Sequence, residues 1–506
     1  MTDTIEFMTT ESDLVGLPDS AAEIDLDPDW DEARQVAHRA IDEVIDLLRG
    51  VGERPVWQAP PPDALERLRA GGPPPAEGES LGAVLAQVQR DVLPYTVGNI
   101  SPRFWGWVMG SGTMSGVLGE LLAAAMNTNA VGMHQSANYV EEQLLSWLAQ
   151  IMGMPVGSGG ITVGGAAEAN LLGVTAARDH GLRLLGVDAR RDGLQQLPAQ
   201  LVGYTSVEGH VVLERAFRLL GLGHGALHKI PSGADYRMDT AALERAIAED
   251  RAAGRHPFVV CASAGTVNTG AVDPLPEIAD ICEREKLWMH VDGAFGAAAA
   301  FSPRLKPLLA GIERADSLAF DGHKWLHMPY GTAFTLVRDP ATLSATFAAA
   351  VDAAYTQASG RGPLTVAPTF TDRSIDFSRR FNALAAWMLI RESGAAKLGR
   401  LVEQNVAQAR YLAGMIARAP HLELAGPVPL NVVCFRYAAP GLDGAQLNAV
   451  NHEIVARLQE EGRLMPSGTT LQGRYAVRVA ITNHRSRRAD FDLLVSEVQR
   501  IGAELA

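Results

Sequence analysis

The 506-residue chain has three cysteines, Cys261, Cys282 and Cys434. They are too few and too scattered for a disulfide framework or a zinc site, and they fit a reducing compartment. No apolar run approaches the ~20 residues that span a bilayer. Basic charge is not in excess: 44 Lys and Arg stand against 58 Asp and Glu, a net charge of −14. The basic clusters are short, "SRR" at 378–380 and "RSRR" at 485–488. Without a Lys/Arg stripe, an acidic chain does not read as a nucleic-acid binder. Internal repeats are also missing, which argues against a solenoid. The opening "MTDTIEFMTTESDLVGLPDS" is acidic and polar, unlike a secretory leader. The expectation is a soluble cytoplasmic protein that engages neither membrane nor nucleic acid.

What is present is an ordinary globular composition, 47% hydrophobic and 20% charged. The length allows a large core and at least one smaller module. Residues 1–29 read as an acidic flexible tail. Residues 30–100 combine a helical pattern from Asp29-Trp30 to Gly50 with a proline-rich stretch, "QAPPPDALERLRAGGPPPAEGES". They read as a strap that needs a surface to lie on, such as a second subunit.

Residues 101–384 read as the large domain. The apolar runs "LVGYTS" (201–206), "FVVCASA" (258–264), "LWMHVD" (287–292), "SLAFD" (317–321) and "TAFTLV" (332–337) alternate with helical segments. Strands separated by helices predict an α/β fold with a mostly parallel sheet covered on both faces. Residues 385–506 read as a smaller α+β module. It has a long helical pair, the strands "NVVCFRY" and "YAVRVAIT", and a closing helix.

In open α/β sheets, ligands gather at the carboxyl ends of the strands. Val207-Glu208-Gly209-His210 follows the first run, and Gly265-Thr266-Val267-Asn268 the second. Asp292-Gly293-Ala294 follows the third, and Asp321-Gly322-His323-Lys324 the fourth. Ahead of these, "GGITVGGAAEANLLGVTAAR" (159–178) is a strand, a glycine turn and a helix start at Ala166-Ala167. Small residues there let an anion approach the free N–H groups. Lys324 has a plain alternative, a strand-end lysine reaching water and paired with Asp321. Together the parts suggest one ligand with a phosphate, a flat ring bearing a basic nitrogen, and an aldehyde. The helix start would hold phosphate, His210 would stack on the ring, and Asp292 would pair with its N–H. Lys324 would join the aldehyde. That ligand is pyridoxal 5'-phosphate (PLP).

The chain resembles the group II PLP-dependent amino acid decarboxylases, most closely their aromatic-amino-acid branch, over residues 30–503. The resemblance is carried by "SPRFWGW", "GGAAEANL", "HVVLERAFRLLGLG", "GTVNTGAVDPL", "HVDGAFG", "DGHKWLHMPYG", "FSRRFNALAAWM" and "VRVAITNHRS", in family order. It implies PLP fold type I, with a large domain, a small C-terminal domain and an N-terminal wrapping segment. It also implies a homodimer with shared active sites. By the same resemblance Lys324 carries the cofactor, Asp292 pairs with the pyridine nitrogen, His210 stacks on one ring face and Ala294 touches the other. Thr266 and Val267 lie near the cofactor. Phosphate contacts fall to Ala166, Ala167, His323 and Asp321. Tyr355, in the polar segment "LSATFAAAVDAAYTQASGRGPLTV", takes the place of the family's proton donor.

The chain departs from the family at Ala167, where serine or threonine is common, and at Val267, where threonine is usual. Trp107-Val108-Met109-Gly110 stands at the substrate-shaping entry segment. Trp107 and Met109 argue for an apolar or aromatic substrate side chain, Trp105 and Trp107 having core packing as their alternative. The implied reaction releases carbon dioxide from an L-amino acid to leave the amine. The competing readings are an aminotransferase, with Arg478 placed to clamp a carboxylate, a carbon–sulfur lyase, or a decarboxylase of glutamate or 2,4-diaminobutyrate.

Overall fold

A computed structural model describes residues 26–69, 72–195, 197–348, 361–364 and 369–506. Seven strands make the larger sheet: β1 (Gly159–Val163), β2 (Leu201–Ser206), β3 (Leu227–Ile230), β4 (His256–Ser263), β5 (Trp288–Asp292), β6 (Ser317–Asp321) and β7 (Ala333–Val337). Their order is β1-β7-β6-β5-β4-β2-β3. The pairs β2–β3, β2–β4, β4–β5 and β5–β6 are parallel, and β7 runs antiparallel to both its neighbours. The fold is the expected α/β sheet. β5 and β6 are buried along their whole length. A strand covered on both faces has no solvent side, so it reads as a continuous apolar run and not as an alternation.

Register places the chemistry. Ser263 lies beside Asp292, and Asp292 beside Ala319. The polar residues that end β4, β5 and β6 therefore meet at one edge of the sheet. The helix Ala166–Leu184 begins at that edge, directly after β1 and the Gly164-Gly165 turn.

A second, antiparallel sheet holds β8 (Leu422–Leu424), β9 (Val432–Tyr437), β10 (Ser467–Leu471) and β11 (Arg474–Ala480) in the order β10-β11-β9-β8. The long helix Ala383–Ile416 precedes it and breaks at Gly394, whose φ of 73° interrupts the helical backbone. Trp105 is fully buried against this sheet's core, with its ring 5.1 Å from Phe491. Packing explains Trp105.

By compactness, residues 49–61 and 95–506 form one unit, which contains both sheets, and the residues before 49 with 62–94 form another. The smaller unit is helical, with Trp30–Arg49, Pro62–Arg69 and Leu81–Asp91. Inside it Arg67 grips the buried Asp91 with two hydrogen bonds, of 3.0 and 2.7 Å. Of the predicted acidic tail, residues 1–25 lie outside the described residues. Among the described residues no helix is long and apolar enough to cross a membrane, and no cluster of His, Cys, Asp and Glu could hold a metal.

Candidate active site

A cavity of about 450 Å³ opens at the carboxyl ends of β2, β4, β5 and β6. That is within the ~300–1,000 Å³ usual for small-molecule and cofactor sites. The start of the Ala166–Leu184 helix forms one wall. Ser467, Gly468 and Arg478 of the second sheet form another. The predicted residues Ala166, Ala167, His210, Thr266, Val267, Asp292, Ala294, Asp321 and Lys324 all line it.

Lys324 Nζ lies 2.8 Å from Asp321 Oδ2. The plain reading of this lysine as a partner of Asp321 is thus present in the structure, yet the same side chain lines the cavity. Asp321 Oδ1 accepts the Ala166 N–H at 2.6 Å. The first donor of the helix start is therefore already held by a carboxylate. In this arrangement Asp321 serves the lysine and the helix start, and the exposed Ala167 remains an open anion donor there. An ionised carboxylate is acceptor-only and repels phosphate. His323 is not among the lining residues: Nδ1–H donates to the Thr332 carbonyl at 3.0 Å, its ring stacks on Tyr330 at 4.6 Å, and its Nε2 lies 3.5 Å from Asp321 Oδ1.

Asp292 is 6% exposed. Burial pushes its carboxyl up, while Lys324, the Ala294 N–H, His210 and the Asn170 amide pull it back toward the charged form. Behind it runs a directional hydrogen-bond chain. Trp288 Nε1–H donates to Ser317 Oγ at 2.8 Å. Ser317 Oγ meets His290 Nδ1 at 2.7 Å, and His290 Nε2 meets Asn170 Oδ1 at 2.8 Å. Asn170 Oδ1 can only accept, so His290 carries its proton on Nε2, and Nδ1 of the neutral ring accepts the serine proton. Burial lowers His290 to about 3, so it is neutral. The Asn170 amide protons are then left for the Ala166 carbonyl at 2.7 Å and for Asp292.

His210 stands at the rim. Its Nδ1 accepts the Val212 N–H at 3.2 Å, which places the ring proton on Nε2. Partial burial holds the imidazole below its ordinary range. Thr266 Oγ1 accepts the Ala271 N–H at 3.1 Å and meets Thr269 Oγ1 at 3.1 Å. Its hydroxyl therefore fixes its own turn.

Arg478 is 3% exposed. Nε donates to the carbonyls of Val267 at 3.0 Å and Asn268 at 3.3 Å, Nη1 to that of Trp107 at 2.7 Å, and Nη2 also to Val267. Each nitrogen of the fork already has a carbonyl acceptor. A carboxylate clamp needs two parallel N–H groups free, so Arg478 is not poised as one.

Of the entry segment, Trp107 and Val108 line the cavity. Met109 instead packs with Val56, Phe104 and Met465. Gly110 lies under the lysine loop, where a Cβ would come within 1.9 Å of the His323 carbonyl oxygen. A close backbone approach thus requires glycine there. Trp107 has a φ of 50°, a left-handed backbone uncommon for a bulky residue. Arg478 holds its carbonyl, and Ser467 Oγ accepts its N–H at 3.3 Å. Tyr355 lies outside the described residues.

Sequence reasoning missed Asn170 and His290 as supports of Asp292, and Glu208 and Phe295 as cavity-lining residues. Asn170 sits within the quoted glycine-turn motif and His290 two residues before Asp292, so position alone could have raised them.

The pyridoxal-dependent decarboxylase conserved domain matches residues 66–438. The chain belongs to the pyridoxal-dependent decarboxylases. It is 30% identical to the aromatic-L-amino-acid decarboxylase of Bacillus atrophaeus over 480 residues, 94% of this chain and 96% of that one. It is 31% identical to tryptophan decarboxylase 1 of Oryza sativa subsp. japonica, over 89% of this chain and 90% of that one. The crystal structure of Oryza sativa TDC with PLP and tryptamine superimposes with a TM-score of 0.85 at 28% identity, covering 95% of this chain and all of that one. This decarboxylase is therefore a PLP-dependent carboxy-lyase of fold type I. The residues present fit the cofactor: a buried carboxylate with unspent acceptor capacity for a ring N–H, an amine on the cavity wall for an aldehyde, and a small-residue helix start for a phosphate.

Proposed function

We propose that this decarboxylase acts on an aromatic L-amino acid and releases carbon dioxide and the corresponding amine. The observation that carries the reading is the pairing of charges in the cavity. Its walls include Trp107, Val108 and Phe295, and Arg478 is spent on backbone carbonyls. The Arg478 guanidinium has no two parallel N–H groups free to grip an acidic side chain, whereas an aromatic ring finds apolar surface. The relatives named for aromatic amino acids and tryptophan support the same reading.

When bound, PLP supplies the electron sink for the carbon–carboxylate bond that breaks. Lys324 would hold the aldehyde through its amine. Asp292 would keep a proton on the ring nitrogen, its charged form supported by Lys324, the Ala294 N–H, His210 and the Asn170 amide. His210, as a neutral imidazole, would cover one ring face and Ala294 the other. Ala167 offers its N–H to the phosphate, with Thr266 and Val267 on the adjoining wall. Tyr355 returns a proton to the substrate's α-carbon. The enzyme works as a cytoplasmic homodimer, with residues 30–100 as a strap at the dimer interface, residues 101–384 as the cofactor domain and 385–506 as the small domain.

A panel of L-amino acids scored for carbon dioxide and amine tests this. Aromatic acids are expected to be consumed. The Lys324→Ala variant is expected to lose both turnover and the cofactor's visible absorbance. Keto-acid formation in place of carbon dioxide, or no release from any aromatic acid with PLP bound, would overturn the assignment.

A further inference from the structure

Most charged side chains of the cavity have charged or carbonyl partners. Lys324 has Asp321, Arg478 has its carbonyls, and Asp292 has Lys324 and two amide donors. Glu208 differs. It lines the same cavity, two residues before His210. Its side-chain partner is the Asn268 amide at a long 3.4 Å, and among the described residues no cation acts on it. Asn268 is itself fixed, its Oδ1 accepting from Thr469 Oγ1 at 2.9 Å. Burial holds the Glu208 carboxyl above its ordinary range. A half-buried carboxylate with one weak donor has acceptor capacity to spare, and a ligand's N–H or O–H would satisfy it.

We propose that Glu208 is a specificity-determining residue: its carboxylate accepts a hydrogen bond from a ring N–H or O–H on the substrate's side chain. Aromatic L-amino acids with such a donor are thereby favoured over phenylalanine and over acidic amino acids. This rests on the aromatic decarboxylase reading above and adds the substrate subclass to it.

Position supports the assignment. Lys324 follows β6 and Glu208 follows β2, with β5 and β4 between them. Three strand spacings of ~4.8 Å put the two backbones ~14 Å apart across the cavity. A side chain directed away from Lys324 approaches Glu208 if it is long, as an indole or a phenol is. Trp107, Val108 and Phe295 give that path apolar walls, which suit a neutral aromatic donor better than an alkylammonium. A side-chain carboxylate would meet like charge.

The PLP-loaded wild type, Glu208→Leu and Glu208→Gln would be compared on L-tryptophan, L-tyrosine, L-phenylalanine, L-glutamate and L-2,4-diaminobutyrate by carbon dioxide release. The wild type is expected to favour tryptophan or tyrosine over phenylalanine in kcat/KM. Glu208→Leu should lower the donor-bearing substrate by roughly tenfold to a hundredfold and leave phenylalanine unchanged or improved. Glu208→Gln keeps an acceptor oxygen and should fall between. Inhibition of the wild type by tryptamine, tyramine and phenethylamine needs no variant, and a donor-bearing amine should bind at least tenfold tighter. Parallel losses on all aromatic substrates, an unchanged substrate ratio, equal inhibition by the three amines, or a preference for diaminobutyrate would overturn the role of Glu208 while leaving the decarboxylase reading standing. No release from any aromatic acid would overturn both.

Discussion

At the scale of single residues, the site turns on keeping Asp292 charged where burial opposes charge. The ion pair of Lys324 with Asp321 does not do this alone, since it ties the lysine to the neighbouring strand end. Lys324 is the largest support for the charged form, followed by the Ala294 N–H and His210, and the Asn170 amide adds to them. It is a donor fixed in orientation by His290, which is fixed by Ser317, which is fixed by Trp288. An amide held this way offers its protons to Asp292 without a choice of flip. Replacing it leaves a buried carboxylate one donor short, and hydrogen bonds to charged groups contribute ~1.5–3 kcal/mol. Asn170→Ala is therefore expected to weaken PLP binding about tenfold to a hundredfold. A cofactor titration followed by absorbance, with unfolding of the apoenzyme measured alongside, checks it. Unchanged affinity in a folded variant would mean that the chain behind Asp292 has no hold on the cofactor.

At the scale of elements, strand ends and loops carry the function, and their legibility differed for physical reasons. β2 and β6 match the apolar runs at 201–206 and 317–321 residue for residue, because a doubly covered strand must be apolar throughout. β3, Leu227–Ile230, and β10, Ser467–Leu471, were not read as strands. "LHKI" is short and half polar, and "SGTTL" has too little apolar content to signal burial. Arg478 was placed near a carboxylate clamp because its partners could not be read: they are backbone carbonyls as far as 371 residues away in sequence. Met109 and Gly110 hold motif positions that suggest a pocket, yet neither lines the cavity: Met109 packs with Val56, Phe104 and Met465, and Gly110 lies against the lysine loop. The loop bearing Lys324 is also tied across the fold. Ser111 Oγ meets His327 Nδ1 at 3.3 Å and His484 Nδ1 at 2.9 Å. Burial lowers both His484 and His290 to about 3. The unfolded chain takes up a proton at each near the ordinary ~6.5, and the folded chain does not. Folded stability should therefore be fully present above pH ~6.5 and fall as pH drops toward 3, by on the order of 2 kcal/mol per histidine at pH 5. Denaturant unfolding at pH 7 and 5 reads this. His484→Gln should flatten part of the slope, and a pH-independent difference would refute the account.

At the scale of the whole molecule, the helix Met114–Met126 leaves a stripe of large apolar side chains uncovered. Leu118, Leu121, Leu122 and Met126 are 37–51% exposed, and their spacing puts them on one face. In the smaller unit, Leu81, Val84 and Val88 are exposed along another helix. A chain of net charge −14 gains nothing electrostatic from meeting its own copy, so an interface must draw on apolar surface. Covering half-exposed leucines contributes on the order of 1 kcal/mol each, and a two-fold interface counts every residue twice. The stripe on one helix is then a substantial share of a dimer's stability, before the costs of association. Carboxylates placed there would be buried without partners. On the proposed homodimer with shared sites, the double variant Leu121→Asp, Leu122→Asp is expected to sediment as a monomer, to retain a cooperative unfolding transition, and to lose most of its activity. Sedimentation velocity and turnover, measured on the same preparation, separate the outcomes. A variant that stays dimeric would place the interface elsewhere, and a monomer with full activity would show that each chain completes its own site.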